Sequence, residues 1–341
     1  IWVANGLFFG RSAPLLEPSP PARAPFLLSA CNRRGPRMPV MSAPLTFDAL
    51  PVPPQRLGES PLWHPQAQCL YWLDIPGREL HRWDPAQAQH RSWALPAEAA
   101  CCAAMPGDDL LLAMRDGLWR FDTVTGQRHP LAPPPYDPAR ERFNDGRVAP
   151  DGSFWVGTIY EPREPALAAL YRWDGRQLTR MAGDIVNSNG LAWSPGGDCL
   201  YWADTKAHLI RRFPAWRAGA PLPPAEVWQR FPLRAPEQAL DQYGGRPDGA
   251  AVDAEGAYWC AMYEGQRLLR IGADGRLLQT VPLPVRCPTM PCLGGPDGRT
   301  LFVTTAREGR PAEELDAQPL AGRVLVTRVA VPGVPAGVLR V

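Results

Sequence analysis

Four short stretches gather the side chains best suited to polar chemistry. Arg142-Phe143-Asn144-Asp145-Gly146 sets a guanidinium, a carboxamide and a carboxylate almost side by side. A turn, Pro150-Asp151-Gly152, and an aromatic, β-branched strand, Phe154-Trp155-Val156-Gly157-Thr158, follow it. Asn187-Ser188-Asn189-Gly190 stands in the same place before Ser194-Pro195-Gly196-Gly197, and Pro247-Asp248-Gly249 before Asp253-Ala254-Glu255-Gly256. Glu59, in Leu57-Gly58-Glu59-Ser60-Pro61, precedes His64-Pro65. Glu59, Asn189 and Asp248 thus offer two carboxylates and one carboxamide oxygen from separate segments. Oxygen-only donors of this kind suit a hard divalent cation with positions left for water or substrate. Two negative charges also balance a dication.

Each residue alone has a plainer reading. Asp-Gly and Asn-Gly are turn formers, Glu59 before Ser60-Pro61 could be solvated, and Arg142 could pair with Glu141 or Asp145. Their common phase changes the balance, because polar loops that recur in step with strands converge on one place.

The elements that carry them form an internal repeat. A Pro/Gly/Asp turn leads into a short aromatic strand, and a second strand follows, often ending in Arg-Trp-Asp or similar. Examples are Leu70-Tyr71-Trp72-Leu73-Asp74 with Leu80-His81-Arg82-Trp83-Asp84, and Leu200-Tyr201-Trp202-Ala203-Asp204 with Leu209-Ile210-Arg211-Arg212-Phe213. The turn residues at 65, 106, 150, 195, 254 and 296 stand 41, 44, 45, 59 and 42 apart. A period in the forties with strand pairs predicts an all-β, six-bladed β-propeller, one closed domain over 41–341. An open β-sandwich fits so regular a repeat less well. The long spacing places an insertion in Pro214–Pro224. Closure is expected to pair a strand near Leu45–Val52 with strands around Val324–Val331.

Length and composition agree. The chain has 341 residues, enough for a large core. With 36 Lys+Arg against 34 Asp+Glu, net +2, it lacks an electrostatic footprint for nucleic acid or anionic membrane. No apolar run is long enough to predict a membrane-spanning helix. The eight cysteines contain no CxxC pair, and Cys69, Cys199 and Cys260 fall in predicted strands. They read as reduced and structural, which fits a cytoplasmic protein. Residues 1–40 show neither periodicity and read as a disordered or non-native N-terminal extension. Within them Leu28-Ser29-Ala30-Cys31 superficially resembles a lipoprotein box, but Arg23 and Pro25 interrupt the apolar run a signal peptide needs.

Other chemistries find less support. The five histidines fall on turns or in second-strand positions, none in a polar loop before a repeat turn, and no G-x-S-x-G elbow or Gly-rich phosphate loop is present. A metal-dependent aryl- or phosphotriesterase propeller would want histidine near its metal.

Gly58-Glu59-Ser60-Pro61-Leu62-Trp63, Asp74-Ile75-Pro76, Arg142-Phe143-Asn144-Asp145-Gly146, Ser188-Asn189-Gly190-Leu191 and Pro247-Asp248-Gly249, in this order, resemble the regucalcin/gluconolactonase family. The resemblance spans roughly Leu57 to Ala306. It implies a six-bladed propeller with one divalent ion (Ca, Zn, Mn, Mg or Fe(II)) at the channel mouth and hydrolysis of a small-molecule sugar lactone. By this resemblance Glu59, Asn189 and Asp248 are the metal ligands, and Asp248 is also the general base. Arg142 and Asn144 contact substrate hydroxyls. The family's further substrate glutamate falls in Tyr160-Glu161-Pro162-Arg163-Glu164-Pro165, a loop shorter than the family's and broken by Pro, where Glu161 or Glu164 could serve. A monomer or weak homo-oligomer is expected. The rival reading is a non-catalytic calcium-binding, regulatory propeller, against which the Arg142/Asn144 pair weighs.

Overall fold

The structure, a computed structural model, describes residues 45–340, so the reading of residues 1–40 lies outside the described residues. Among the described residues, six four-stranded antiparallel sheets follow one another, with one short helix, Ala312–Ala317. Their innermost strands are Gly58–His64 (blade I), Ala99–Ala104 (II), Glu141–Val148 (III), Ser188–Trp193 (IV), Arg246–Val252 (V) and Pro288–Gly294 (VI). Each inner strand contacts the next, and that of blade VI contacts that of blade I, which closes the ring. Asp48 and Ala49 complete blade VI, pairing with Val326 and Leu325, so the expected closure between the two ends of the domain is present. This is a six-bladed propeller.

The sequence pattern explains the blades. Second strands are buried on both faces between neighbouring sheets, and they therefore carry apolar runs. Trp72, Trp155 and Trp202 are fully buried there. The Asp that closes the third strand is a turn device: Asp84 Oδ1 accepts from Ala86 N and Gln87 N at 3.0 and 3.2 Å, and Asp122 and Asp174 do the same. The expected insertion lies between the third and fourth strands of blade IV, where Trp216 packs edge-on against Trp155 and Trp193. A second long connection, 231–245, leads from blade IV to blade V.

Every inner strand breaks register with its neighbour through one extra residue. The breaks fall at Glu59/Leu62, Ala99/Cys101, Phe143/Gly146, Asn189/Ala192, Pro247/Ala250 and Pro288/Met290. A β-bulge of this kind bends the strand and re-aims its side chains. Toward the other end of the channel the C-terminal segment crosses the blades. Val334 N bonds Val252 O, Leu339 N bonds Ala104 O and Arg340 N bonds Gly152 O. The channel there, about 240 Å³, is bounded by Pro335, Ala336 and Gly337. All seven cysteines among the described residues are free. No helix among the described residues is long and apolar enough to cross a membrane.

Candidate functional site

Glu59, Arg142, Asn144, Asn189 and Asp248 all line one cleft of about 720 Å³. The sequence suggested polar loops; the structure places these residues on the inner strands themselves, at the bulges. In blades I and IV the site residue is the last paired one before the bulge. The following residue takes a left-handed backbone, Ser60 at φ 50 and Gly190 at φ 60. In blades III and V the site residue, Asn144 or Asp248, is itself among the unpaired ones. Gly, Pro, Asn and Asp within these strands mark bulges, where an unpaired backbone tolerates them, and not the ends of strands.

Hydrogen bonds join the side chains in one chain. Arg142 Nη1 donates to Asn144 Oδ1 at 2.8 Å. Asn144 Nδ2 donates to Asn189 Oδ1 at 3.0 Å, to Ser188 O at 2.8 Å and toward Asn187 Oδ1 at 3.2 Å. Asn189 Nδ2 reaches Asp248 Oδ1 at 2.5 Å and Thr205 Oγ1 at 2.8 Å. Asn144 therefore spends its polar atoms on protein partners and couples Arg142 to Asn189. Glu161 does not line the cleft. Its carboxylate bonds Arg115 at 2.8 and 3.0 Å, lies 3.6 Å from Arg142 Nε, and shares Arg115 with Glu98. Glu161 thus braces the guanidinium of Arg142 from behind, and Glu164 is likewise off the wall; the residue of that loop that reaches the cleft is Arg163.

The electrostatics are those of crowded carboxylates. Burial, then the charges of Asp248 and Asp145, hold the Glu59 carboxyl well above its ordinary range. Burial likewise raises Asp248, against the pull of Arg246 and a hydrogen bond from Asn189. Asp145, behind the cleft wall, is pushed up to about 6 by burial, with Arg147 opposing. Arg147 spans the channel, donating to Leu191 O at 2.6 Å and Ala250 O at 2.7 Å. Two like carboxylates brought together out of water destabilise one another, and a cation between them reverses that effect. Among the described residues no group of three or more His, Cys, Asp or Glu is placed to hold a metal. A site here would use two carboxylates and the Asn189 carboxamide, a hard-oxygen donor set that fits a divalent cation.

Several wall residues carried no sequence signal. Thr205, Lys206 and His208 follow the second strand of blade IV, and Tyr243 comes from the 231–245 connection. His208 lies outside the polar stretches singled out in the sequence, yet reaches the same cleft. It is buried on the cleft wall, with Nδ1 3.0 Å from Pro232 O and Nε2 3.2 Å from Tyr243 Oη. Burial lowers its pKa.

The family model described as "SMP-30/Gluconolactonase/LRE-like region" matches residues 57–307. A 6-deoxy-6-sulfogluconolactonase of Pseudomonas putida is 41% identical over 285 residues, which cover 82% of this chain and 94% of that one. Regucalcin of Gallus gallus is 31% identical over 292 residues, covering 82% and 93%. The crystal structure of a calcium-binding protein, regucalcin, from Agrobacterium tumefaciens superposes with a TM-score of 0.79 at 31% identity, covering 87% and 98%.

Proposed function

The chain belongs to the SMP-30/gluconolactonase/LRE-like family, and we propose that it is a metal-dependent lactonase that opens sugar-acid lactones to the aldonic acids. The observation that carries the reading is the convergence of Glu59, Asn189 and Asp248 with Arg142 in one cleft. A pure metal binder needs no guanidinium braced beside its ligands, as Glu161, itself held by Arg115, braces Arg142 here. The 41% identity to a lactonase supports the same class.

Glu59, Asp248 and the oxygen of Asn189 would hold the ion. A divalent cation bound there supplies Lewis-acid polarisation of a carbonyl and charge for an oxyanion. The rest falls to the protein. Asp248, unionised more readily than an ordinary carboxylate while no cation is present, is ionised once one is held, and then takes the proton of a water attacking the lactone carbon. Arg142, fixed by Asn144 and Glu161, donates to ring hydroxyls and rejects lactones lacking them, because its buried donors would go unmatched. The order Arg142–Asn144–Asn189–Asp248 ties hydroxyl recognition to the ligand set through successive hydrogen bonds.

The test is hydrolysis of five- and six-membered aldonolactones (glucono-, xylono-, arabinono-), followed by pH-stat with EDTA and metal add-back. Activity is expected to vanish with chelator and return with one cation. A chelator-insensitive background on folded, metal-loaded protein would instead favour the non-catalytic calcium-binding reading.

A further inference from the structure

Tyr243 and His208 line the same cleft as Arg142, and neither has a part in the lactonase chemistry. His208 is the residue before the third strand of blade IV, a place that Arg78 and Gln266 hold in blades I and V. Arg78, His208 and Gln266 share a left-handed backbone, at φ 54, 54 and 52. Each of their carbonyls accepts from the residue after its blade's fourth strand: Leu95, Phe231 and Leu283. The fold thus sets this backbone, and the imidazole is what blade IV adds. Arg78 and Gln266 do not line the cleft, whereas His208 is buried on its wall. There it joins the two ends of the 231–245 connection, touching Pro232 at one end and Tyr243 at the other.

The contacts fix which atom carries each proton. His208 Nδ1 stands 3.0 Å from Pro232 O, a carbonyl that only accepts, so Nδ1 holds the imidazole proton. Nε2 is then bare and accepts from the Tyr243 hydroxyl, whose Oη lies 3.2 Å from it and 3.4 Å from Nδ1. Burial disfavours a second proton on the imidazole, with Pro232 O and Asp204 opposing and the charges of Arg246 and Lys206 assisting. Burial likewise holds Tyr243 as a phenol, against the pull of Arg246. With its one proton given to His208, Tyr243 meets a ligand as an acceptor.

A sugar hydroxyl both donates and accepts, and the wall is richer in donors. Arg142, Arg163, Lys206, Arg234 and Arg246 only donate. Asn144 and Asn189 spend their carboxamides on protein partners, and Glu59 and Asp248 face the cation. The Tyr263 hydroxyl has no partner among the described residues to aim its proton, and the Arg246 guanidinium stands 5.0 Å from that ring. We propose that Tyr243 is a specificity-determining residue whose oxygen accepts the proton of one ring hydroxyl, and that His208 is the positioning residue that holds it as acceptor. This rests on the lactonase reading and adds to it the accepting half of hydroxyl recognition. A lactone lacking that hydroxyl leaves a buried acceptor unmatched.

The experiment measures kcat and KM of the metal-loaded protein on gluconolactone and on its 2-, 3-, 4- and 6-deoxy counterparts. Tyr243→Phe should raise KM for gluconolactone about tenfold and leave kcat within about twofold. On one deoxy lactone, the one without the hydroxyl that Tyr243 reads, variant and wild type should have equal KM. His208→Asn keeps an amide donor for Pro232 O in place of Nδ1 and removes the Nε2 acceptor. It should raise KM about fivefold alone and not at all in the Tyr243→Phe background, because it acts through that hydroxyl. A KM unmoved by Tyr243→Phe, a loss equal on every deoxy lactone, or an added loss from His208→Asn in the double variant would overturn the proposal. Calorimetry with gluconate separates it from the lactonase reading. If no lactone is turned over, but gluconate binds and Tyr243→Phe weakens it while sparing one deoxy acid, the lactonase reading fails and the hydroxyl site stands. Absence of both turnover and gluconate binding overturns both.

Discussion

The inner strands of blades II and VI break register as those of blades I, III, IV and V do, yet contribute nothing to the cleft wall. At the break in blade II stands Ala100, packed in the core between blades II and III. At that in blade VI stands Thr289, whose hydroxyl donates to Gly58 O at 2.6 Å and meets Thr304 Oγ1 at 2.8 Å. The other four breaks carry Glu59, Asn144, Asn189 and Asp248. The bulge is therefore a scaffold device, common to all six blades because each inner strand must bend as it reaches the channel mouth. Four copies of it place polar side chains on the cleft wall, while the remaining two serve packing and hydrogen bonding. Substitutions at equivalent positions should accordingly separate activity from stability.

The sharpest separation pairs Asp248 with Thr289. Asp248→Ala should lower kcat/KM about a thousandfold and weaken metal binding together, since one carboxylate serves both. Its thermal stability should hold or rise, because a buried, crowded carboxylate is removed. Thr289→Val should do the reverse: activity near normal at low temperature, stability lower by about 1–2 kcal/mol because Gly58 O loses its donor. Near wild-type turnover by Asp248→Ala would end the assignment.

Next in size is Arg142→Ala. It should cost about a hundredfold in kcat/KM on polyhydroxylated lactones and leave metal affinity, read by titration, close to normal. Equal losses of both would mean that Arg142 holds the ligand set and does not read the substrate. Gly190→Ala tests the scaffold beneath. At φ 60 an added Cβ strains the backbone, meets the Tyr258 hydroxyl and comes 3.0 Å from Asp248 O. A loss of about 2–4 kcal/mol in denaturant unfolding is expected, with lowered activity because the Asp248 backbone must yield. Ser60 occupies the matching place in blade I at φ 50, so Ser60→Gly should be far milder. It relieves that strain and gives up the bond its Oγ accepts from Cys102 N at 3.0 Å and the weak one it donates to Cys102 Sγ at 3.8 Å.

How much of this could be read from the residues alone follows from what repeats. Six blades were legible because each turn and aromatic strand recurs, and the closure was expected from strand-like stretches near Leu45–Val52 and Val324–Val331. Glu59, Asn189 and Asp248 were legible by their phase. Their setting was not. Pro61, Gly190, Pro247 and Gly249 punctuate like turns, and only backbone pairing reveals that they interrupt strands without ending them. The rim was hidden for another reason. Thr205 and His208 sit in the turn between the second and third strands of blade IV and Tyr243 in the 231–245 connection, and nothing in their residue types marks them as facing the cleft. The exchange of Glu161 for Arg163 turns on one left-handed residue, and no residue type other than glycine announces that conformation.

The smallest effect expected probes the last link of the hydrogen-bond chain. Thr205 Oγ1 accepts from Asn189 Nδ2, which also reaches Asp248, so the hydroxyl helps to set the plane of the carboxamide. Outer partners of a ligand tune affinity without touching the ion. Thr205→Val removes the acceptor while nearly preserving shape. Metal affinity should fall about tenfold, with kcat restored once the cation is saturating. Blade II supplies the control, because Ala100→Ser adds a hydroxyl at a bulge with no contact to the cleft and should leave affinity unmoved. If Thr205→Val also leaves affinity unmoved, Asn189 is oriented by Asn144 and Asp248 alone. The chain from Arg142 would then end at the carboxylate with no support from blade IV's second strand.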